Sequence, residues 1–520
     1  MHKHSGCCGC FVDPVGRRSF LAAVGGGALG AATLSGSVTA ATSGVGAAAV
    51  PRPKPSLEKK QLIVQPALVY GLSKPRKAAS WRPWGGLHTQ SDVDQEVKRI
   101  EAELRALAEE AEFPVAFRPV ARITKRPDAE ALCKGDADVM LIYGASGGGD
   151  SMEALISPDR YNLVFVRHKS GPVYLWYEIA HPRLLRKTVD VYGQPGLASN
   201  DVVVDVYADV LWRLRACFGL KNTVGSRIVC IGGPSGWGEG GRQAPQIAKD
   251  LWKMDLVDEP YEDLGKRIVA ARSDAARVSR AEAQAEDYLK DSGVRLETEK
   301  GFVSRAFLLT EVFEEVMAEA GAQAITVNPC MGTIMPLSET TACLCLSLIN
   351  DAGMLAFCES DFAVIPSGVL LHHIASTPVF LQDPTYPHHG VVTLAHCTAP
   401  RRMDGKNLEK ARILTHFESD YGAAPKVDMR IGQVVTVIDP DFADKNWIGF
   451  RGKIAENPFL DICRSQVDVS IEGDCQKLAE DMRGFHWMLA YGDHLKETGY
   501  ALQKLGIGWY NLTADRTTEA

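Results

Sequence analysis

Beyond its first fifty residues the 520-residue chain has no C-x-x-C pair, no G-x-x-x-x-G-K-[ST] loop and no cluster of lysine and arginine. The first absence excludes a zinc ribbon or a thioredoxin-like redox site, and the second a P-loop nucleotide enzyme. The third, with a formal net charge of −7, argues against nucleic acid as a partner. No apolar run after residue 50 is long enough to cross a bilayer, so stable membrane insertion is not expected. No internal repeat is evident, which removes solenoids and propellers. The chain is too long for one ordinary domain, and two or three are expected.

What is present begins at the N-terminus. Residues 16–22 read G-R-R-S-F-L-A, and an uncharged stretch rich in Gly, Ala, Ser and Thr runs from there to Val50. Paired arginines with a Phe two positions after the second resemble a twin-arginine export signal, with Val38-Thr39-Ala40 as the cleavage point. A membrane anchor is the rival reading, and the Gly and Ser content suits it poorly. The signal implies export of an already folded chain to the periplasm or another extracytoplasmic space. Of the thirteen cysteines, Cys7, Cys8 and Cys10 would leave with the leader, or bind metal in an uncleaved chain. Folding before export takes place in a reducing compartment, so the others need no disulfides. Cys217, Cys230, Cys343 and Cys345 sit in apolar runs and read as small buried hydrophobes.

Residues 51–60 are a Pro-rich, charged linker. Gln61–Leu72, Val115–Arg118 and Val139–Tyr143 read as buried strands. A helix over Ser91–Glu112, whose Val93, Val97, Ile100, Leu104 and Leu107 recur at helical spacing, and another over 128–134 lie between them. The alternation predicts a doubly wound α/β domain over 58–185. A second such unit, 186–375, contains the strand Arg227–Ile231, the glycine loop G-G-P-S-G-W-G-E-G-G (232–241) and a charged helical stretch, 258–292. The loop is read as a crowded βα turn, or as a border of the substrate pocket at the strand ends. Its Trp237 is read as packing or as a surface on which a bound ring could stack. After about Pro378 the texture changes to short β-rich runs (391–396, 412–417, 426–438, 448–454, 466–471). They predict an antiparallel barrel or sandwich over 376–515.

Three segments carry the chemistry: C-E-S-D-F (358–362), F-L-Q-D-P-T-Y (380–386) and G-F-H-W-M-L-A-Y-G (484–492). Glu359, Asp383 and His486 offer two oxygen ligands and one nitrogen ligand, a set suited to Mn²⁺ or Mg²⁺ with positions open for substrate. Each residue also has an ordinary explanation. A carboxylate at a strand end commonly caps a helix or pairs on the surface, and a histidine beside Trp487 is commonly a packed core residue.

These segments resemble, in order and context, the metal site of the L-fucose isomerase and L-arabinose isomerase family. A Glu-Ser-Asp ends a strand, an apolar helix (Val364–Ile374) follows, and Phe380–Asp383 brings the second carboxylate at the family's separation. Gly484-Phe485-His486 and Gly492 match the family's histidine segment. The resemblance is strongest over 320–400 and 480–510. It implies two α/β domains with a C-terminal β-rich, barrel-like domain. It also implies that Glu359, Asp383 and His486 hold Mn²⁺ or Mg²⁺, with Glu359 and Asp383 as the acid/base pair. The implied reaction is aldose–ketose isomerisation of a monosaccharide, a proton moving between C1 and C2 through a metal-stabilised enediolate. A trimeric or hexameric homo-oligomer is implied as well. His396, in A-H-C-T-A-P, is a candidate contact to the sugar or to a metal ligand near the pocket mouth, or a buried structural histidine, and Asp361 would brace Glu359 or cap the next helix. An exported sugar-binding protein without turnover and a metal-dependent sugar epimerase or lyase are the alternatives.

Overall fold

The computed structural model describes residues 58–82, 85–174 and 193–514. The export signal expected over residues 1–50 lies outside the described residues. Among the described residues no single helix is long and apolar enough to cross a membrane.

The first sheet is built on Leu62–Val69. Val115–Phe117 and Ala121–Ile123 pair with its two halves on one side. Val139–Gly144, Tyr161–Val166 and Val202–Val204 follow in turn on the other. All pairings are parallel, and with the two edge segments taken as one interrupted strand the order is 2-1-3-4-5, the doubly wound arrangement. Its last strand falls beyond residue 185, where the sequence reading ended the first domain. The helix Gln90–Glu110 buries Val93, Val97, Ile100, Leu104 and Leu107, the stripe its periodicity predicts. Its N-cap is Thr89, with Asp92 completing a capping box from the third helical position.

The second sheet is also parallel, with Asp255–Glu259, Arg227–Ile231, Ala324–Val327 and Leu355–Cys358 in that spatial order. The strand order reverses between Arg227–Ile231 and Ala324–Val327, and such a switch point opens a crevice beyond the strand ends. The charged stretch 258–292 begins inside the edge strand Asp255–Glu259 and then forms two helices, Tyr261–Ser273 and Ala275–Leu289.

The C-terminal part settles the choice between barrel and sandwich. Val434–Asp439, Trp487–Tyr491, Phe380–Pro384, Val391–His396, Ser465–Glu472 and Asn446–Glu456 pair antiparallel in that order, and the last pairs back to the first. The result is a closed six-stranded barrel. Alternate residues fill it, among them Val392 and Leu394, Val435 and Val437, Ile448 and Phe450, Val467 and Val469, Trp487 and Leu489, all without solvent exposure. The run read as one strand over 426–438 is two. Tyr421–Asp428 pairs with Lys410–His416 in a separate three-stranded sheet, and Val434–Asp439 belongs to the barrel.

One helix ties barrel to sheet. Ile365–Ala375 is apolar on every face and buried along its length, packing against the helix Tyr207–Thr223 and the outer face of Trp487–Tyr491. Gly368 is required there: a Cβ would come within 2.6 Å of Met488 Cε and 2.7 Å of Phe357 Cε1. The helix starts just after Glu359 and ends just before the strand that carries Asp383, so it sets their separation.

Candidate metal centre

The chain leaves strand Leu355–Cys358 through two consecutive left-handed residues, Glu359 (φ 68°) and Ser360 (φ 48°). That conformation costs a non-glycine residue about 1–2 kcal/mol, so neighbours must hold it. The Ser360 N–H donates to Thr326 Oγ1 (3.1 Å), its carbonyl accepts the Ser235 N–H (3.1 Å), and the Phe362 N–H donates to the Ser235 carbonyl (3.0 Å). Ser235 belongs to the glycine loop, which therefore clasps the Glu359 turn directly. Gly232 (φ 75°) lets the loop pass the neighbouring strand end, since a Cβ there would lie 1.8 Å from the Asn328 carbonyl oxygen. The loop delivers Trp237, whose Nε1–H donates to Glu359 Oε2 at 2.6 Å. The loop is a crowded turn, and it holds the Glu359 carboxylate.

The other residues come from one end of the barrel. Asp383 lies opposite Ala395, beside His396 at the end of the neighbouring strand, and Gln382 lies opposite Trp487, which follows His486. His486 Nε2 is 3.2 Å from Asp383 Oδ1 and 3.5 Å from Glu359 Oε2. Its Nδ1 is 2.7 Å from Oδ2 of Asp361, a fully buried carboxylate that also accepts the N–H groups of Ala363 (3.0 Å) and Trp237 (3.3 Å). Asp361 thus fixes the imidazole with Nε2 turned toward the two carboxylates. This role lies closer to His486 than to Glu359, which the sequence had it bracing.

Electrostatics follow from burial and crowding. Burial alone would raise the Glu359 carboxyl. The His486 hydrogen bond and charge, with His396 and the Trp237 N–H, outweigh it and hold the group down to about 2. Asp383 is raised, by burial first and by the Glu359 charge in addition. Burial opposes protonation of His486, but Asp361, Asp383 and Glu359 together raise it well above the ordinary imidazole value. Three carboxyl groups crowd one imidazole, so the cluster calls for positive charge at its centre.

His396 is fully buried, with Nε2 3.8 Å from Glu359 Oε1 and making no hydrogen bond. The ligand atoms of Asp383, His396 and His486 lie within 4.8 Å of one another, as do those of Cys358, Glu359 and His396. The structure thus brings Glu359, Asp383, His486 and His396 together, with His396 inside the cluster rather than at its mouth. Trp237 packs on Phe485 (ring centroids 4.9 Å apart), which is 50% exposed and leads from the cluster to solvent. Sequence reasoning missed the pairing of Asp361 with His486, 125 residues away; the E-S-D triplet was its visible trace. Neither a scan against protein-family models nor a search of curated proteins matches this chain.

Two carboxylates and two imidazoles that converge in this way, with one orphaned ring nitrogen among them, could hold a metal ion.

Proposed function

We propose that the chain is a metal-dependent aldose–ketose isomerase resembling L-fucose isomerase, with Glu359, Asp383, His486 and His396 holding Mn²⁺. The observation that carries the reading is the buried Asp361–His486 pair, which presents Nε2 to two carboxylates at 3.2 and 3.5 Å. A carboxylate behind a ligating histidine is the usual outer support of a catalytic metal. When bound, the ion would polarise the oxygens on two adjacent sugar carbons and stabilise negative charge that develops there.

The chain's own groups supply the rest. Glu359, fixed at Oε2 by Trp237, takes a proton from one carbon, and Asp383 lies across His486 Nε2 from it as the partner carboxylate. The Trp237 and Phe485 rings offer an apolar wall for the face of a sugar. Export by the twin-arginine route and assembly as a trimer or hexamer belong to the same proposal.

Metal analysis of the purified protein beside Asp383→Ala tests the reading. About one Mn²⁺ per chain is expected in the wild type and none in the variant, followed by ketose formation from an aldose panel. No Mn²⁺ in the wild type, even after addition, would sink the mechanism. Product identity separates isomerase from epimerase or lyase, and sugar binding without any product would leave the sugar-binding alternative. Asp361→Asn, which keeps the shape but not the charge behind His486, should weaken Mn²⁺ affinity about 10- to 100-fold with little change in melting temperature. Unaltered affinity would remove Asp361 from the site.

A further inference from the structure

Away from the carboxylate cluster, four buried side chains converge from distant parts of the chain. Cys343 opens the helix Ala342–Asp351, Cys397 follows the barrel strand Val391–His396, His416 ends the strand Lys410–His416, and Cys463 precedes the barrel strand Ser465–Glu472. Their exposures are 3, 3, 1 and 7%. The ligand atoms of Cys343, Cys397 and His416 lie within 4.8 Å of one another, and Cys397 Sγ is 3.9 Å from Cys463 Sγ. A tetrahedral ion with metal–sulfur bonds of about 2.3 Å holds its sulfurs about 3.8 Å apart. The Cys397–Cys463 separation is that of two thiolates on one metal, and Cys463 joins the other three through Cys397.

We propose that Cys343, Cys397, Cys463 and His416 form a structural zinc site. Three sulfurs and one imidazole are a soft donor set that selects Zn²⁺ over Mn²⁺ or Mg²⁺. All four positions are filled by protein, and burial leaves no path for substrate, so the site is closed and not catalytic. His416 Nδ1 lies 3.2 Å from Ser419 Oγ, the outer hydrogen bond a ligating histidine ordinarily keeps, which leaves Nε2 for the metal. Ala395 and Ala424 pack around the thiols and close the shell with apolar surface. The ligands come from the second α/β unit, the barrel and the three-stranded sheet, so one ion would join all three. The inference shares no residue with the isomerase site and stands whether or not that reading holds.

The test uses full-length protein, reduced and stripped of metal, titrated with Co²⁺. A thiolate-to-cobalt charge-transfer band in the near ultraviolet, with strong tetrahedral d–d bands in the red, is expected at one equivalent and should vanish on adding Zn²⁺. Cys463→Ser and His416→Ala should abolish or displace these bands. Cys358→Ser, which removes the thiol beside Glu359, should not. A band that survives Cys463→Ser unchanged, or is lost in Cys358→Ser alone, overturns the assignment, as does no band in the wild type. X-ray absorption of the wild type loaded with one equivalent of Zn²⁺ decides the matter even if the variants do not fold. Three sulfurs at about 2.3 Å and one nitrogen at about 2.0 Å are expected. A shell of nitrogen and oxygen alone refutes the proposal.

Discussion

Glu359→Gln is expected to lower aldose–ketose turnover by about 10³- to 10⁴-fold at saturating Mn²⁺, with KM changed little. The amide keeps the volume and one oxygen of the carboxylate, so the Trp237 indole N–H, now 2.6 Å from Glu359 Oε2, retains an acceptor. What the amide cannot do is take a proton from carbon. The strained turn at Glu359 and Ser360 is held by Thr326 and Ser235 through backbone and hydroxyl groups that the substitution leaves in place. Steady-state kinetics with metal content measured on the same sample separate loss of the base from loss of the ion. Turnover within tenfold of the wild type, with metal bound, would remove Glu359 from proton transfer. Sugar affinity that persists while neither protein turns over would favour the binding-protein alternative.

The second large effect is on stability and comes from the helix that links Glu359 to Asp383. His372 and His373 are buried there, 5.2 Å apart between ring centroids, with Phe218 edge-on to His373. Burial, with the nearby Lys59 charge, lowers His372 to about 4. His373 is lowered well below the ordinary value by burial, by His372 and by Lys59 and Lys60. Between pH 6.5 and 4 the unfolded chain therefore binds more protons than the folded one. The stability is present in full above about pH 6.5 and lost as pH falls toward 4. For His372 alone the loss approaches about 3 kcal/mol at pH 4.

Three buried carboxyls act in the opposite sense. Burial raises Asp351 to about 6 and Asp439 and Asp444 to about 7, so their contribution is present at low pH and fades as pH rises through those values. The histidine effect is thus read as a difference. Urea unfolding of wild type and His372→Met/His373→Met should diverge below pH 6.5, with the variant losing less stability. Parallel pH profiles would show that the two rings titrate normally in the folded protein.

Much of this architecture is legible in the sequence wherever apolar periodicity is strong. Arg227–Ile231 and Val391–His396 begin and end where their buried runs predict. The pattern fails where burial is partial or flanks are short. Asp255–Glu259 is an edge strand whose Asp-Leu-Val-Asp-Glu has no helical or alternating signature, and its last two residues fall in the stretch 258–292 read as helical. Trp487–Tyr491 is covered by the barrel interior on one face and by the helix Ile365–Ala375 on the other, so it shows no alternation to read. The site was legible as residues rather than as geometry. Glu359, Asp383 and His486 could be singled out, but the inward aim of His396 and the support of Asp361 depend on barrel register and docking.

Barrel register has a consequence for how such a protein can change over generations. Asp383, His396 and His486 sit at one end of three adjacent strands, with Asp383 opposite Ala395 and Gln382 opposite Trp487. For Asp383 and His396 the spacing is set by ladder hydrogen bonds around a closed ring, while His486, one residue before its strand, is held by Asp361 as well. A one-residue slip in any of these strands would turn a ligand to the opposite face. Insertions and deletions between positions 397 and 485 that spare the strands would leave the ligands where they are. Apart from Cys397, His416 and Cys463, the interval is free to acquire new surfaces or new neighbours while the centre stays fixed. Lineages should therefore diverge in length there long before they diverge at the rim.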